Sequence, residues 1–414
     1  MKLSHTHRAK MHRRRTITIL LLTILLLTVV ISSCNAIRRH SKNKAEEEAR
    51  AAAAKKAASM SASDSAGTAK VNKLMSSMTL EHKILQMFIV TPEVLTEQNN
   101  VVAAGTVTER SIKKYPVGGI IYFAENLESV EQTEKMISSS QKYAKEACGV
   151  PLFISVDEEG GTVSRVAQKL GTTAFKPMGT YEALGAETAK KNAKTIAQDI
   201  SAIGFNLDFA PDADVSTGNN EIIGERAYSS DYNTAAQLVS AAVEGFHEGG
   251  VLCTLKHFPG HGSTIEDSHD EIGHIYKDED RLKTEDYQPF SSGIRAGADM
   301  VMTGHIIDEK LDSSGLPATF SKVMTVDILR NEMDFKGIII TDSLSMDSIK
   351  NAYTPGQAAV MAVESGHDML LCPPSISEAL EAIENAVASG KISRSQIDES
   401  VRRILVAKEE HGIL

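Results

Sequence analysis

Eight short runs of apolar and β-branched residues alternate along the chain with segments in which apolar positions repeat every three or four residues. The runs occupy residues 87–90, 119–123, 152–156, 205–209, 252–256, 300–303, 337–341 and 368–371. Helical spacing marks residues 129–147, 181–203, 235–248, 322–333, 354–365 and 393–409. Strands that alternate with helices form parallel sheets, so eight such units predict an α/β fold of the (β/α)8 barrel type. An open, doubly wound sheet is the alternative.

Polar residues follow the apolar runs at their ends. In chain order they are Asp157, Glu158 and Glu159, then Asp208 and Asp212, then Lys256 and His257, then His305, and finally Asp342. The strands of a (β/α)8 barrel all end at one rim, which is where such barrels carry their chemistry. Because buried charges are costly unless they are paired or functional, we predict a functional site at this rim. For Asp208 and Asp212 we expect structural hydrogen bonds.

Residues 256–273 concentrate the side chains that can carry chemistry. The fifth run ends in Lys256 and His257, and Pro259-Gly260 then breaks regular structure. Neighbouring strand residues point in opposite directions, so a bend or bulge is needed for both side chains to reach one ligand. Asp267 and His269 lie two positions apart further on, where a carboxylate can raise the basicity of the imidazole. This pair is a candidate proton-transfer unit.

Four histidines in this region also suggest a metal site, namely His257, His261, His269 and His274. A His-x3-His pair binds metal best from a helix, and Pro259-Gly260 makes a helix there improbable. We therefore predict no metal and no cofactor. For His261 and His274 we expect surface or loop positions without a chemical role.

The amino terminus has the pattern of a secretory signal. The first fifteen residues hold six basic and no acidic side chains, and an apolar stretch from Thr16 to Ile31 follows. Small residues then precede Cys34, as in bacterial lipoprotein cleavage sites, so we predict a signal peptide over residues 1–33 and lipid modification of Cys34. An uncleaved signal anchor is the alternative. Both interpretations place the remaining chain outside the cytoplasmic membrane, held at its outer face.

Residues 34–70 are rich in Ala, Lys, Glu and Ser and contain few large apolar side chains. Such a composition cannot bury a core, so we interpret this segment as a tether between the membrane and a catalytic domain at residues 71–414. Without residues 1–33 the net charge falls from −10 to −16. This acidic balance argues against nucleic acid as a partner.

Four stretches of the barrel region form a recognisable set: residues 156–165, 223–228, 256–269 and 339–346. Together they resemble glycoside hydrolase family 3, and more narrowly its β-N-acetylglucosaminidase branch. They occur in the family's order and at its approximate spacing, and the resemblance covers roughly residues 71–414. The third stretch, Lys-His-Phe-Pro-Gly-His-Gly-x4-Asp-Ser-His, is the most specific of the four.

The resemblance implies a role for each matching position. Asp342 matches the catalytic nucleophile, and Asp267 with His269 matches the Asp-His dyad of this branch, in which the histidine is the general acid/base. The positions that match contacts to the terminal sugar are Asp157, Arg165, Arg226, Lys256, His257 and Met346. Two positions depart from the branch. Where this sequence has Thr162 the branch often has Arg, and where it has Glu158 the branch commonly has Gln. Taken alone, Asp342 also admits interpretation as the N-cap of a helix starting at residue 343.

The implied activity is removal of terminal β-linked N-acetylglucosamine by a retaining, two-step mechanism, with peptidoglycan fragments (muropeptides) as the carbohydrate substrate. Two-domain members of the family carry the acid/base on a second α/β domain. This sequence ends at Leu414, soon after its last predicted helix, which agrees with an acid/base inside a single catalytic domain. The alternatives are a β-glucosidase or xylosidase of the same family, an N-acetylglucosaminide phosphorylase, and a catalytically silent sugar-binding lipoprotein.

Overall fold

The computed structural model describes residues 69–216, 220, 222–264 and 271–414. Residues 69–414 form one compact unit. The predicted signal peptide and Cys34 lie outside the described residues, as does all but the end of the predicted tether. Within the described ranges, no helix has the length and apolar character that crossing a membrane requires.

Eight parallel strands form the centre of the molecule: β1 (Phe88–Val90), β2 (Gly119–Ile121), β3 (Phe153–Val156), β4 (Leu207–Asp208), β5 (Leu252–Phe258), β6 (Met300–Thr303), β7 (Ile338–Thr341) and β8 (Leu370–Leu371). They are hydrogen-bonded in chain order, and β8 returns to β1 through the pairs Phe88–Leu370 and Ile89–Leu371. A bridge between Ile340 and Met369 joins β7 to the start of β8. The ring confirms the predicted (β/α)8 barrel and excludes the doubly wound sheet.

The strand side chains are almost completely buried on both faces, as expected for a parallel sheet covered by helices. In β1, β3 and β7 every residue is buried. Most of these residues are Ile, Val or Phe, whose branched or aromatic side chains suit a pleated, enclosed surface. The barrel interior and the layer beneath the helices therefore form one continuous apolar core.

Helices surround the barrel, and the predicted ones occur within a few residues of their expected positions. The α-helices include residues 69–77, Leu80–Gln86, Pro92–Thr96, Thr106–Lys114, Val130–Cys148, Arg165–Leu170, Ala186–Ile203, Tyr232–Gly249, Glu279–Thr284, Tyr287–Arg295, Asp347–Lys350, Pro355–Ser365, Ile376–Ala388 and Arg394–Glu410, and Val323–Glu332 is a π-helix. The helix predicted from residue 181 begins only at Ala186. A 3-10 turn, Met178–Leu184, precedes it, and Gly185 with φ 73° separates the two.

Two pairs of short strands lie outside the barrel. Glu158–Gly160 pairs with Val163–Ser164 in an antiparallel hairpin directly after β3. Gly273–His274 pairs in parallel with Ile306–Ile307, which follows β6. Both pairs lie beyond the carboxyl ends of barrel strands, so they shape the rim at which we predicted the functional site.

The last helix, Arg394–Glu410, is fixed to the opposite end of the barrel by a buried lysine. Lys408 Nζ donates hydrogen bonds to the carbonyl oxygens of Gly118 (2.8 Å) and Pro151 (2.7 Å). These two residues lie just before β2 and β3. The buried ammonium thus satisfies backbone acceptors at the amino ends of two strands.

Candidate functional site

A cavity of about 400 Å³ opens at the carboxyl ends of the barrel strands. Seven residues singled out from the sequence all line it: Asp157, Arg165, Arg226, Lys256, His257, Asp342 and Met346. Glu159, Thr162, Ser343 and His261 contribute to the same wall, together with apolar side chains such as Phe123 and Leu371. The fold therefore brings together residues that are up to 189 positions apart in the sequence.

Lys256 and His257 both reach the cavity because β5 is irregular at this point. The pairing of β5 with β6 shifts register between Leu255 and Phe258. A register shift places two residues against one on the partner strand and turns their side chains away from strict alternation. The bend or bulge expected from the sequence is therefore present.

Lys256 is held in a cluster of alternating charges. Its Nζ lies 2.7 Å from Asp157 Oδ1 and 2.6 Å from Glu159 Oε1. Glu159 also accepts two hydrogen bonds from Arg226, from Nε at 2.9 Å and from Nη2 at 2.8 Å. Arg226 Nε is in turn 3.4 Å from Asp212 Oδ2. We call these five residues the rim ion network.

The network keeps its central members ionised despite their burial. The side chains of Lys256 and Glu159 are only 4% and 3% exposed. Burial alone would raise the pKa of Glu159, but the positive charges of Arg226 and Lys256 hold it well below its usual range. Burial would lower the pKa of Lys256, and the carboxylates of Asp157 and Glu159 more than reverse that effect. Both groups are therefore charged at neutral pH.

Glu159 was expected at the polar rim but was assigned no role of its own. The only local signal was its position in the acidic run that follows β3. Its partners Arg226 and Lys256 are 67 and 97 positions away in the sequence, so the pairing cannot be inferred from local pattern. Asp212, for which we expected structural hydrogen bonds, accepts the backbone N–H of Asp214 at 2.9 Å as well as joining the network.

His257 is oriented by Asp214, a second residue that the sequence did not single out. Asp214 Oδ2 lies 2.8 Å from His257 Nδ1 and also accepts the backbone N–H of that residue. Burial, reinforced by the charge of Arg226, lowers the pKa of His257 to about 4. The imidazole is therefore neutral at pH 7, and the carboxylate selects the tautomer with hydrogen on Nδ1. Nε2 is left as a hydrogen-bond acceptor.

Asp342 directly follows β7, and its backbone is fixed to β6. Its N–H donates to the carbonyl oxygen of Thr303 at 2.9 Å, and its Oδ1 accepts the N–H of Ser343 at 2.7 Å. Burial would raise its pKa, but His305, His257, the N–H of Ser343 and Lys256 lower it below the usual value for Asp. The next helix begins at Asp347 with Met346 as its N-cap, so Asp342 is no helix cap. It is an ionised carboxylate on a rigid strand end.

Glu158 supports the segment that carries Arg165. Its carboxylate accepts the backbone N–H groups of Val166 (2.6 Å) and Ala167 (3.1 Å), in the first turn of the helix Arg165–Leu170. These N–H groups have no partner within the helix. Burial raises the pKa of Glu158 to about 7 despite these bonds. Glu158, at a position where the branch commonly has Gln, thus binds the first turn of this helix.

His261 corrects one expectation. We predicted a surface or loop position for it, but it is 2% exposed and lines the cavity. Its ring lies 5.8 Å from that of His257, and its backbone N–H donates to Asp214 Oδ1 at 2.5 Å. The turn His261–Ser263 folds inward because Asp214 binds both histidine backbones. His274 is only partly buried and stacks on the exposed ring of Tyr276.

Asp267 and His269 lie outside the described residues, but the residues that flank them are fixed. Thr264 is buried, and Gly273 pairs with Ile306. The two ends are in contact, since a Cβ added to Gly273 would lie 3.2 Å from Thr264 Cγ2. The two described flanks therefore meet at one neck, close to the cavity wall formed by His261.

Asp212, Asp214 and His257 place potential ligand atoms within 4.8 Å of one another. The guanidinium of Arg226 lies beside Asp212, and its positive charge opposes a cation at this position. The arrangement suits neutral, hydroxyl-rich ligands better, because it offers charged donors and acceptors that are already paired with one another.

Comparison with known proteins gives a consistent picture. The sequence pattern of the Glycosyl hydrolase family 3 N terminal domain matches residues 79–407. Beta-hexosaminidase A of Pseudoalteromonas piscicida is 32% identical over 72% of this chain and 54% of its own length. Beta-hexosaminidase of Idiomarina loihiensis is 33% identical over 65% of this chain and 80% of its own length.

Among solved structures, a glycoside hydrolase family 3 beta-N-acetylglucosaminidase from Paenibacillus sp. str. FPU-7 is similar, with a TM-score of 0.77 and 36% identity. The match covers 81% of this chain and 63% of that protein. The chain thus spans little more than half the length of the Pseudoalteromonas relative and under two thirds of the Paenibacillus one.

Glu158 predicts a specific pH dependence of stability. Its pKa in the folded protein is about 7, above the value of about 4.3 in an unfolded chain. Between these two pH values Glu158 is therefore protonated in the folded protein but not in the unfolded chain. Its stabilising contribution is complete below pH ~4.3 and is lost as pH rises through 7. We expect Glu158→Gln to remove this loss, on the order of 2–3 kcal/mol between pH 5 and pH 8.

Urea unfolding of wild type and variant at several pH values measures the effect. As pH rises, the unfolding free energy of Glu158→Gln should increase relative to that of wild type. Glu125→Gln, at an exposed glutamate, is the matched control and should follow wild type at every pH. Parallel curves for Glu158→Gln and wild type would contradict the raised pKa.

Proposed function

The chain belongs to glycosyl hydrolase family 3, and we propose that it is an exo-acting β-N-acetylglucosaminidase with a retaining mechanism. The observation that carries the proposal is the shared cavity, in which the Asp342 carboxylate faces the rim ion network. An ionised carboxylate at a rigid strand end supplies a nucleophile, and the network supplies hydrogen-bonding groups for one sugar. The hexosaminidase relatives and the β-N-acetylglucosaminidase structure support the sugar class.

The first step joins the sugar to Asp342. A carboxylate oxygen attacks the anomeric carbon while the glycosidic bond breaks, and His269 donates its proton to the departing oxygen. The products are a glycosyl ester on Asp342 and a free alcohol. In the second step His269 takes a proton from water, and the hydroxide attacks the same carbon and releases Asp342. Two inversions give overall retention of configuration.

A histidine suits the proton-transfer role because its ordinary pKa of about 6.5 lies near neutrality. Asp267 would orient the ring and stabilise its charged form. The neck between Thr264 and Gly273 supports this assignment, because it brings both ends of the segment that carries the pair to the rim.

The terminal sugar would be bound by groups that are already fixed. Asp157 offers an acceptor for hydroxyls, whereas Arg165, Arg226 and Lys256 offer donors, and His257 offers Nε2. Met346 adds an apolar contact at the edge of the cavity. Because Glu159 and Asp214 hold Arg226, Lys256 and His257 in place without ligand, little side-chain ordering remains to oppose binding.

We further propose that the enzyme acts outside the cytoplasmic membrane on peptidoglycan fragments, anchored through lipid on Cys34. The support is the basic and apolar amino terminus, the small residues before Cys34 and the tether-like composition of residues 34–70. An anchored enzyme at this location would meet glycan fragments released from the cell wall.

Removing the nucleophile tests the central assignment. We expect Asp342→Ala to lower kcat on an aryl β-N-acetylglucosaminide by at least about 10³-fold, because no covalent intermediate can form. Azide should restore part of the rate and give the α-glycosyl azide, since a small anion fits where the carboxylate was. Retained activity without azide would disprove the role of Asp342.

The same assay with a panel of substrates and phosphate separates the alternatives. Faster turnover of aryl β-glucosides or β-xylosides would indicate a different sugar. Sugar 1-phosphate as the main product in phosphate buffer would indicate a phosphorylase. Wild-type protein that binds N-acetylglucosamine but turns over no glycoside would indicate a sugar-binding lipoprotein.

His269→Ala tests the proton donor. General acid catalysis typically contributes about 10²–10⁴-fold, and it matters most when the leaving group is a poor one. We expect large losses on alkyl glycosides and muropeptides but small losses in the first step with nitrophenyl glycosides. His274→Ala, directly after the segment, is the matched control and should retain activity. Equal losses of His269→Ala on good and poor leaving groups would remove the acid role.

Cys34→Ala tests the anchor in a bacterial host that processes lipoproteins. We expect wild type to incorporate an alkyne-tagged fatty acid and to fractionate with membranes. Cys34→Ala should incorporate none, whereas Cys148→Ala should label like wild type. Membrane-bound wild type without label would favour the uncleaved signal anchor.

A further inference from the structure

Two histidines and an aspartate converge at the end of the barrel opposite the cavity. His247 lies in the last turn of the helix Tyr232–Gly249, Asp299 directly precedes β6, and His411 caps the helix Arg394–Glu410. His247 Nε2 is 2.9 Å from Asp299 Oδ2, and His411 Nε2 is 2.7 Å from Asp299 Oδ1. Potential ligand atoms of the three residues all lie within 4.8 Å of one another.

A thiol lies beside this group. Cys253, near the start of β5, is completely buried, and its Sγ is 3.9 Å from His247 Nε2. Its backbone N–H donates to Asp299 Oδ2 at 2.9 Å, which fixes the carboxylate. Four side chains of types that coordinate transition metals therefore meet here, from four different parts of the fold.

We propose that His247, Asp299 and His411 form a zinc site, with Cys253 as the neighbouring fourth donor. Imidazole, carboxylate and thiolate are the usual ligands of Zn²⁺. Bonds of about 2.0–2.1 Å place tetrahedral nitrogen and oxygen ligands about 3.3 Å apart. Lengthening the two histidine–carboxylate contacts from 2.9 and 2.7 Å by roughly half an ångström would bring them to this spacing.

The arrangement of the group favours a cation. The carboxylate of Asp299 presents one oxygen to each imidazole, Oδ2 to His247 and Oδ1 to His411. The two imidazole rings have centroids 5.7 Å apart, close enough for one ion to be bound by both. The side chains of His247 and His411 are 30% and 24% exposed, which leaves a path for the ion.

A metal here would act on stability rather than on the reaction. The three ligands belong to an outer helix, the base of a barrel strand and the last helix. Lys408 already fixes the last helix at the same end of the barrel. Zinc would tie that helix to the barrel at a second point, because metal bound to the folded state alone stabilises it.

Zinc binding by the full chain, produced without a polyhistidine tag, purified in detergent and stripped with EDTA, tests the proposal. Competition with a chromophoric chelator should give one tight Zn²⁺ per chain, and thermal unfolding should shift upward with zinc. The informative variants are His247→Gln and His411→Gln, because a glutamine amide keeps a hydrogen bond to Asp299 but is a poor zinc ligand. Each should weaken zinc binding at least about tenfold and abolish the thermal shift.

His82→Gln is the matched control, since His82 lies in the helix Leu80–Gln86, which carries none of the proposed ligands, and it should bind zinc like wild type. His257→Gln reports on the cavity and should also retain the tight site. The proposal is overturned if wild type binds no tight zinc, or if the two glutamine variants bind zinc as wild type does. Loss of the tight site in His257→Gln, with the other variants unaffected, would place the metal in the cavity and equally overturn it.

Discussion

The burial of Lys256 is the constraint on which the rest of the site depends. An ammonium group that is 4% exposed persists only with close counter-charges, and Asp157 and Glu159 supply them. Glu159, itself buried, is balanced by Arg226 as well, which carries the network to the segment after β4. Removing one member of such a buried set leaves an uncompensated charge, a cost of about 3–5 kcal/mol. The network therefore fixes β3, β5 and the Arg226 segment relative to one another.

The same constraint prepares the cavity for a neutral ligand. Charges that are paired before binding do not have to be neutralised by the substrate, so sugar hydroxyls can form hydrogen bonds to groups of fixed position. Asp342 stands apart from these pairs. Among the residues that the structure describes, its carboxylate is stabilised by a backbone N–H and by neighbouring side chains rather than by a contact ion pair. Such a carboxylate keeps more of its nucleophilicity. The geometry thus separates the groups that would hold the sugar from the group that would attack it.

The sequence was sufficient for the barrel and for seven residues of the cavity wall. Strand positions followed from apolar runs, because both faces of a barrel strand are buried, and polar residues at the run ends identified the rim. The roles of Glu159 and Asp214 were missed because they come from partners distant in the chain. The position of His261 was missed because it results from an inward turn that Asp214 imposes. The late start of the helix at Ala186 was missed because a 3-10 turn and an α-helix share similar spacing over a few residues. Local pattern predicts elements well, but pairing between elements needs the three-dimensional structure.

The contact between Thr264 and Gly273 has an evolutionary consequence. The barrel holds the two ends of this segment together. Doubling the length of such a segment costs only about 0.6 kcal/mol of chain entropy. Residues between the ends can therefore be lengthened, shortened or replaced while the strands keep their register. The nucleophile would then belong to the fixed scaffold, and the proton donor to a segment that can be exchanged. The two would be inherited separately, although they would act on the same bond. New specificities could arise in this lineage by grafting a different segment at the neck.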